Sequence, residues 1–141
     1  MVAKTLLLVG DENFLAKYRS HLAEIPNCII VEITNPFKAW NIASNTAPGP
    51  DLVVTNYSFG YYPMTGSYKM TGPRLVSAIR NTGSHARFIL CGSDDASTVT
   101  PVLEQLRTEG SHVEYLRVGN DVQQDDHQQG LADLVRSMLG G

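Results

Sequence analysis

Five short apolar runs, residues 5–9, 28–33, 52–55, 87–91 and 113–118, recur along this 141-residue chain, each followed by a longer segment with helical spacing or a turn signal. Runs of four to six residues rich in Val, Ile and Leu read as strands, and strands alternating with helices imply a parallel sheet with helical crossovers. After the first run, Phe14, Leu15, Tyr18, Leu22 and Ile25 form a stripe on one helix face, ended by Pro26-Asn27. A second helix begins at Asn35-Pro36, a cap residue followed by a first-turn proline, and is expected to turn Phe37, Trp40 and Ala43 or Ala47 inward before Pro48-Gly49-Pro50 closes it. A third starts near Gly72-Pro73 and buries Leu75, Val76 and Ile79; a fourth carries Val99, Val102, Leu103 and Leu106 at i, i+3, i+4, i+7. The last repeats that spacing with Leu131, Leu134, Val135 and Met138, whereas the polar stretch 121–129 before it reads as a loop or a solvated first turn. Strands two, three and four carry few charges, as expected of strands covered on both faces. The order βαβαβαβαβα predicts a doubly wound, flavodoxin-like, three-layer α/β/α fold with a five-stranded parallel sheet, spanning 1–141 as one domain.

Composition narrows the function classes. A 43% apolar and 18% charged chain is ordinary for a soluble globular protein, and no apolar run approaches a membrane span. The first residues run straight into a strand with no secretory signal pattern, so a cytoplasmic location is expected. A net charge of −3 without a Lys/Arg cluster offers nothing to a phosphate backbone, which argues against direct nucleic-acid binding. Cys28 and Cys91 fall in strands without C-x-x-C spacing and read as reduced core residues rather than redox or zinc ligands.

Sites in open parallel sheets form beyond the carboxyl ends of the strands. There the chain presents Gly10-Asp11-Glu12 after the first run, Asn56 after the third, Cys91 after the fourth, and Arg117-Val118 at the end of the fifth. The connection after the third strand repeats Tyr-x-Met-Thr-Gly, as Tyr62–Gly66 and Tyr68–Gly72, and is far longer than the usual loop of two to six residues. It holds Tyr57, Phe59, Tyr61, Tyr62 and Tyr68, aromatic anchors that suit either a partner interface or a cover over the strand ends.

The order and spacing of Leu7-Leu8-Val9-Gly10-Asp11-Glu12, Asp51-Leu52-Val53-Val54-Thr55-Asn56, the stretch from Met70 to Arg80, Ile89-Leu90-Cys91-Gly92 and Glu114-Tyr115-Leu116 resemble a response-regulator receiver domain of two-component signalling. The resemblance covers the whole chain and implies a phosphorylation site that this sequence has lost. Receivers hold Mg²⁺ with two adjacent acids; here Gly10-Asp11 keeps one, with Glu12 displaced by a residue. The phosphoacceptor aspartate is matched by Asn56, whose amide is a poor nucleophile and a weaker ligand for a hard cation. The hydroxyl residue is matched by Cys91 and the lysine by Val118, while Arg117 faces the other way unless the strand bulges. The resemblance is therefore to a degenerate pseudo-receiver.

Other chemistries fit less well. Asp51 begins the third strand, about 16 Å from Asn56 at 3.3 Å per residue, and cannot stand in as acceptor. Asp94 and Asp95 either join Asp11 and Glu12 as cation ligands or cap the fourth helix, the commoner use. Thr55, Tyr57 and Ser58 lack a nearby base, because His21 lies in a helix, His85 and His112 in loops and His127 in the polar tract. No cofactor and no enzymatic activity are expected. The expected function is a signalling module that binds another signalling protein, independently of phosphorylation and without nucleic-acid or membrane contact; the resemblance also implies a homodimer through the fourth helix, fifth strand and fifth helix. Two alternatives stay open: an active atypical receiver with Mg²⁺-dependent phosphorylation, and a flavodoxin-like flavin or nucleotide binder. For the latter, Gly10-Asp11-Glu12-Asn13 presents one glycine and two carboxylates that repel phosphate.

Overall fold

The computed structural model describes residues 3–45, 49–57, 71–118 and 124–139. Five strands, β1 (Lys4–Val9), β2 (Cys28–Ile33), β3 (Leu52–Asn56), β4 (Arg87–Gly92) and β5 (His112–Arg117), form one parallel sheet in the order β2-β1-β3-β4-β5. Five helices alternate with them: α1 (Glu12–Ala23), α2 (Pro36–Asn45), α3 (Gly72–Arg80), α4 (Ala96–Thr108) and α5 (Gln124–Met138). This is the doubly wound α/β arrangement that the alternation of runs implied.

The period-two alternation of strand side chains divides the core into two layers. Leu6, Leu8, Leu52, Val54, Ile89 and Cys91 face α1 and α5, where they meet Phe14, Leu15, Tyr18, Leu22, Leu131 and Val135. Leu7, Val9, Val53, Phe88, Leu90 and Val113 face α2, α3 and α4, where Ala39, Ala43, Leu75, Val76, Ile79, Val99, Leu103 and Leu106 close the other side. Helix starts follow local chemistry. The Asp11 carboxylate accepts from Phe14 N at 2.8 Å to cap α1, and Thr71 accepts from Arg74 N at 3.2 Å to cap α3, with Pro73 in its first turn. Among the described residues no helix is long and apolar enough to cross a membrane.

Three expectations are corrected. Trp40 faces solvent at 41% exposure, and Ala39 and Ala43 take the inward positions of α2, because the buried arc is centred on Pro36, Ala39 and Ala43. Strand β2 is covered only in part: Ile33 is buried, but β2 is an edge strand, Ile29 is 54% exposed and Cys28 is half-buried. His112 opens β5 instead of lying in a loop, and of the two readings of the polar stretch 121–129 the helical one holds from Gln124, where α5 begins.

The edge strand is anchored to α1 by charge. Arg19 grips Glu32 in a two-pronged pair, Nη2 to Oε1 at 2.6 Å and Nε to Oε2 at 2.9 Å. Hydrogen bonding to Arg19 holds the Glu32 carboxyl below its ordinary pKa. A depressed carboxylate contributes stability above its unfolded pKa and loses it as pH falls through the folded value, so this small, solvent-screened contribution persists at neutral pH.

Candidate functional site

The register brings four sequence-predicted positions to one edge. Asn56 is paired with Cys91 and Cys91 with Leu116, and Gly10 and Val118 follow β1 and β5 on the α1/α5 side of the sheet. Gly10 N donates to Ile33 O at 3.1 Å, and Val118 N to Gly92 O at 2.7 Å, so backbone hydrogen bonds hold both positions.

The space above Gly10 is taken by a ring. A Cβ built on Gly10 would run into Phe14 Cδ1, lie 2.7 Å from Phe14 Cγ and sit 2.9 Å from Asn56 Nδ2. Phe14 is buried and packs edge-on against Tyr18, with ring centroids 5.1 Å apart and planes at 64°. A side chain at position 10 would therefore extend into the volume that Phe14 and the Asn56 amide already occupy. Asp11, the one acid retained in the receiver pattern, spends a carboxylate oxygen on the α1 cap. Glu12 is exposed in the first turn of α1, where the helix dipole favours an acid.

Cys91 is wholly enclosed, and burial pushes its thiol up to about 12, opposed only weakly by Lys17. It is a core group in the unreactive thiol form. Cys28 is also raised, by burial and then by Asp51, but stays half-exposed on β2. Under native conditions at pH 8, a thiol reagent is expected to modify Cys28 first and Cys91 only at the rate of unfolding; equal labelling of both thiols by mass spectrometry would contradict this packing.

Beside Cys91 the Tyr18 hydroxyl is buried and finds no hydrogen-bond partner among the described residues, and its pKa is raised, chiefly by burial. An unsatisfied buried hydroxyl costs roughly 1–3 kcal/mol of desolvation. Tyr18→Phe, which keeps the ring beneath Lys17 and against Phe14, is expected to raise unfolding free energy by about 1 kcal/mol. A fall of that size in urea melts would reveal a partner for the hydroxyl.

The other side of the edge is aromatic. Tyr57 and Tyr115 meet edge-to-face, centroids 5.8 Å apart and planes at 80°, and a Cβ on Gly92 would lie 2.9 Å from Tyr57 Cβ and 3.1 Å from Tyr115 Oη. The Tyr115 hydroxyl donates to the Asp94 carbonyl oxygen at 3.0 Å, tying β5 to the turn before α4. Arg117 lies on this side, 3.5 Å from the Asp95 carboxylate in an exposed ion pair. Val118 packs with the hydrophobic layer under α1 and α5. Asp95 occupies the cap position of α4 without a side-chain cap bond. Asp51 sits at the far edge, accepting from Thr5 N at 2.8 Å. Phe59, Tyr61, Tyr62 and Tyr68 lie outside the described residues.

The receiver likeness implies a divalent cation, and these residues do not fit one. Position 10 offers no side-chain ligand, Asn56 offers an amide, one Asp11 oxygen is taken by Phe14 N, and a phenyl ring occupies the space above Gly10. Among the described residues no three His, Cys, Asp or Glu side chains gather in a way that could hold a metal, so Asp94 and Asp95 do not complete a site with Asp11 and Glu12. The α1 N-terminus is equally unsuited to a phosphate, because the Asp11 carboxylate takes the Phe14 N–H that an anion would use.

Phe14 was visible in the sequence only as part of a core stripe. The clue to its second role is the pair Gly10 and Phe14, a glycine where the receiver pattern has an acid and an aromatic one helical turn later.

Strand order, helix placement and the alignment of these positions define the fold of a response-regulator receiver. Solved structures agree. The cyanobacterial phytochrome response regulator RcpA, determined phosphorylated, is similar over 98% of this chain and 95% of its own, with a TM-score of 0.75 and 14% identity. The response regulator domain of Thermotoga maritima CheB matches over 98% and 95%, with a TM-score of 0.68 and 13% identity. The receiver domain of DrrB, activated with BeF3, matches over 100% of both chains, with a TM-score of 0.66 and 18% identity. No family model and no curated protein matches by sequence.

Proposed function

We propose that this chain is a receiver-fold signalling module that acts by binding another protein and does not transfer a phosphoryl group to Asn56. The observation that carries this reading is the Phe14 ring lodged where the first acid of a receiver would project, with Gly10 beneath it and the Asn56 amide beside it. Four changes accompany each other at that edge: glycine for an acid, asparagine for the acceptor, cysteine for the hydroxyl and valine for the lysine. Each removes charge or a polar contact that phosphoryl transfer needs, and together they leave an apolar plug continuous with the core.

Recognition then falls to the surface. Tyr115, clamped between Tyr57 and Gly92 and donating to Asp94 O, supports one fixed arrangement of the β4–α4 turn and β5. A module of this kind presents a permanent binding face to its partner. The test is NMR titration of the intact chain with Mg²⁺ plus acetyl phosphate, and separately with beryllofluoride. Unchanged amide signals at Gly10, Asn56 and Cys91 are expected, and saturable shifts centred on Asn56 would overturn the reading.

A further inference from the structure

Strand β2 lies at one edge of the sheet. An edge strand exposes a row of backbone donors and acceptors, and proteins normally blunt it with lysine, proline, a bulge or a covering element. Among the described residues strand β2 shows no lysine, proline, bulge or covering element along its length, and Glu32 is its one charge. Its pairing with β1 runs unbroken from Lys4↔Cys28 to Val9↔Ile33, and its sequence is Cys-Ile-Ile-Val-Glu-Ile. Ile29 is 54% exposed, the more exposed of the two large hydrophobic side chains that reach solvent among the described residues. The strand's single charge, Glu32, is already matched by Arg19.

We propose that β2 is a self-association edge, and that two copies of this chain join by antiparallel β2–β2 pairing centred on Ile30 to make a continuous ten-stranded sheet. Directly opposed residues of an antiparallel pair share a face, which restricts the possible registers. Centring on Ile30 places Ile29 of one copy opposite Val31 of the other on the α2 side, and Ile30 opposite Ile30 on the α1 side. Glu32 then falls opposite Cys28, so no like charges meet, and each copy brings its own Arg19–Glu32 pair to the seam. That self-complementarity selects a second copy over an unrelated strand. The contact is isologous and closes at two subunits, because each chain has one β2 edge. It is a different surface from the α4–β5–α5 face that receiver likeness suggests, and it does not depend on the state of Asn56.

Sedimentation velocity of the full chain over a concentration series tests the proposal. The unaltered protein is expected to dimerise, Ile29→Lys to weaken the dimer by at least about tenfold through an unpaired charge at the seam, and Glu104→Lys, on the exposed side of α4, to leave it unchanged. Ile29 is exposed in the single chain, so Ile29→Lys retains the fold, to be checked by circular dichroism. In a Cys28→Ser background, Ile30→Cys is expected to form a disulfide-linked dimer on mild oxidation. A protein that remains monomeric throughout, a dimer indifferent to Ile29→Lys or broken by Glu104→Lys, or no cross-link at position 30 would each overturn the proposal; capture of a different polypeptide at β2 by a monomeric chain would do the same.

Discussion

Asn56→Asp, made alone, is expected to leave the protein without Mg²⁺-dependent phosphorylation by acetyl phosphate. Restoring the carboxylate returns an acceptor but no cation site, because position 10 still lacks a ligand, Asp11 still caps α1 at 2.8 Å from Phe14 N, and Val118 still presents no charge. Intact mass decides the matter: stoichiometric gain of a phosphoryl group by the single variant would show that the plug is no obstacle. The obstacle itself can be measured through Gly10→Ala. Its new Cβ meets the Phe14 ring and the Asn56 amide, and overpacking of this kind costs roughly 1–3 kcal/mol. In a Phe14→Leu background the ring is gone, and the same substitution is expected to cost less, a coupling of about 1 kcal/mol in a double-mutant cycle. Strictly additive costs would mean that Phe14 is not what excludes a side chain from position 10.

Gly72→Ala is expected to be the more damaging glycine change, lowering unfolding free energy by about 3 kcal/mol or more. A Cβ there would strike the Asn56 carbonyl oxygen and lie 2.9 Å from Tyr57 Cα and 3.0 Å from Leu90 Cδ2. Two of these obstacles are backbone, and the backbone is pinned: Gly72 N donates to Tyr57 O at 2.9 Å and Tyr57 N to Cys91 O at 2.7 Å. Relief would require α3 to withdraw from the end of β3. Gly83→Ala offers the comparison, since its Cβ would meet nothing and only its left-handed backbone, φ 89°, resists substitution, at a cost of roughly 1–2 kcal/mol. Equal urea midpoints for the two variants would contradict the close approach described at Gly72.

These expectations rest on features of unequal visibility in the chain. The stripe Phe14, Leu15, Tyr18, Leu22 was readable because a helix repeats its inward face every three or four residues, whatever it packs against. The three buried strands β1, β3 and β4 were readable for a different reason, as continuous apolar runs of strands buried on both faces. Trp40 was misjudged because hydrophobicity says that a ring prefers burial, not which arc of a short helix the sheet will cover; two alanines permit the close approach that a Trp would prevent. The half-covered state of β2 was hidden by its composition, since an edge strand and a central strand can share an apolar sequence while differing only in how many neighbours they have.

The candidate site divides the same way. The identities at its corners, Gly10, Asn56, Cys91 and Val118, and the loss of charge they represent, were set out in the primary structure, because residue chemistry and strand-end position are local properties. That Phe14 packs over Gly10, that Asp11 turns to its own helix and that Arg117 comes within 3.5 Å of Asp95 could be known only once the chain was folded. Those contacts depend on where α1 and α4 settle against the sheet, and that placement is decided by packing among residues far apart in the chain.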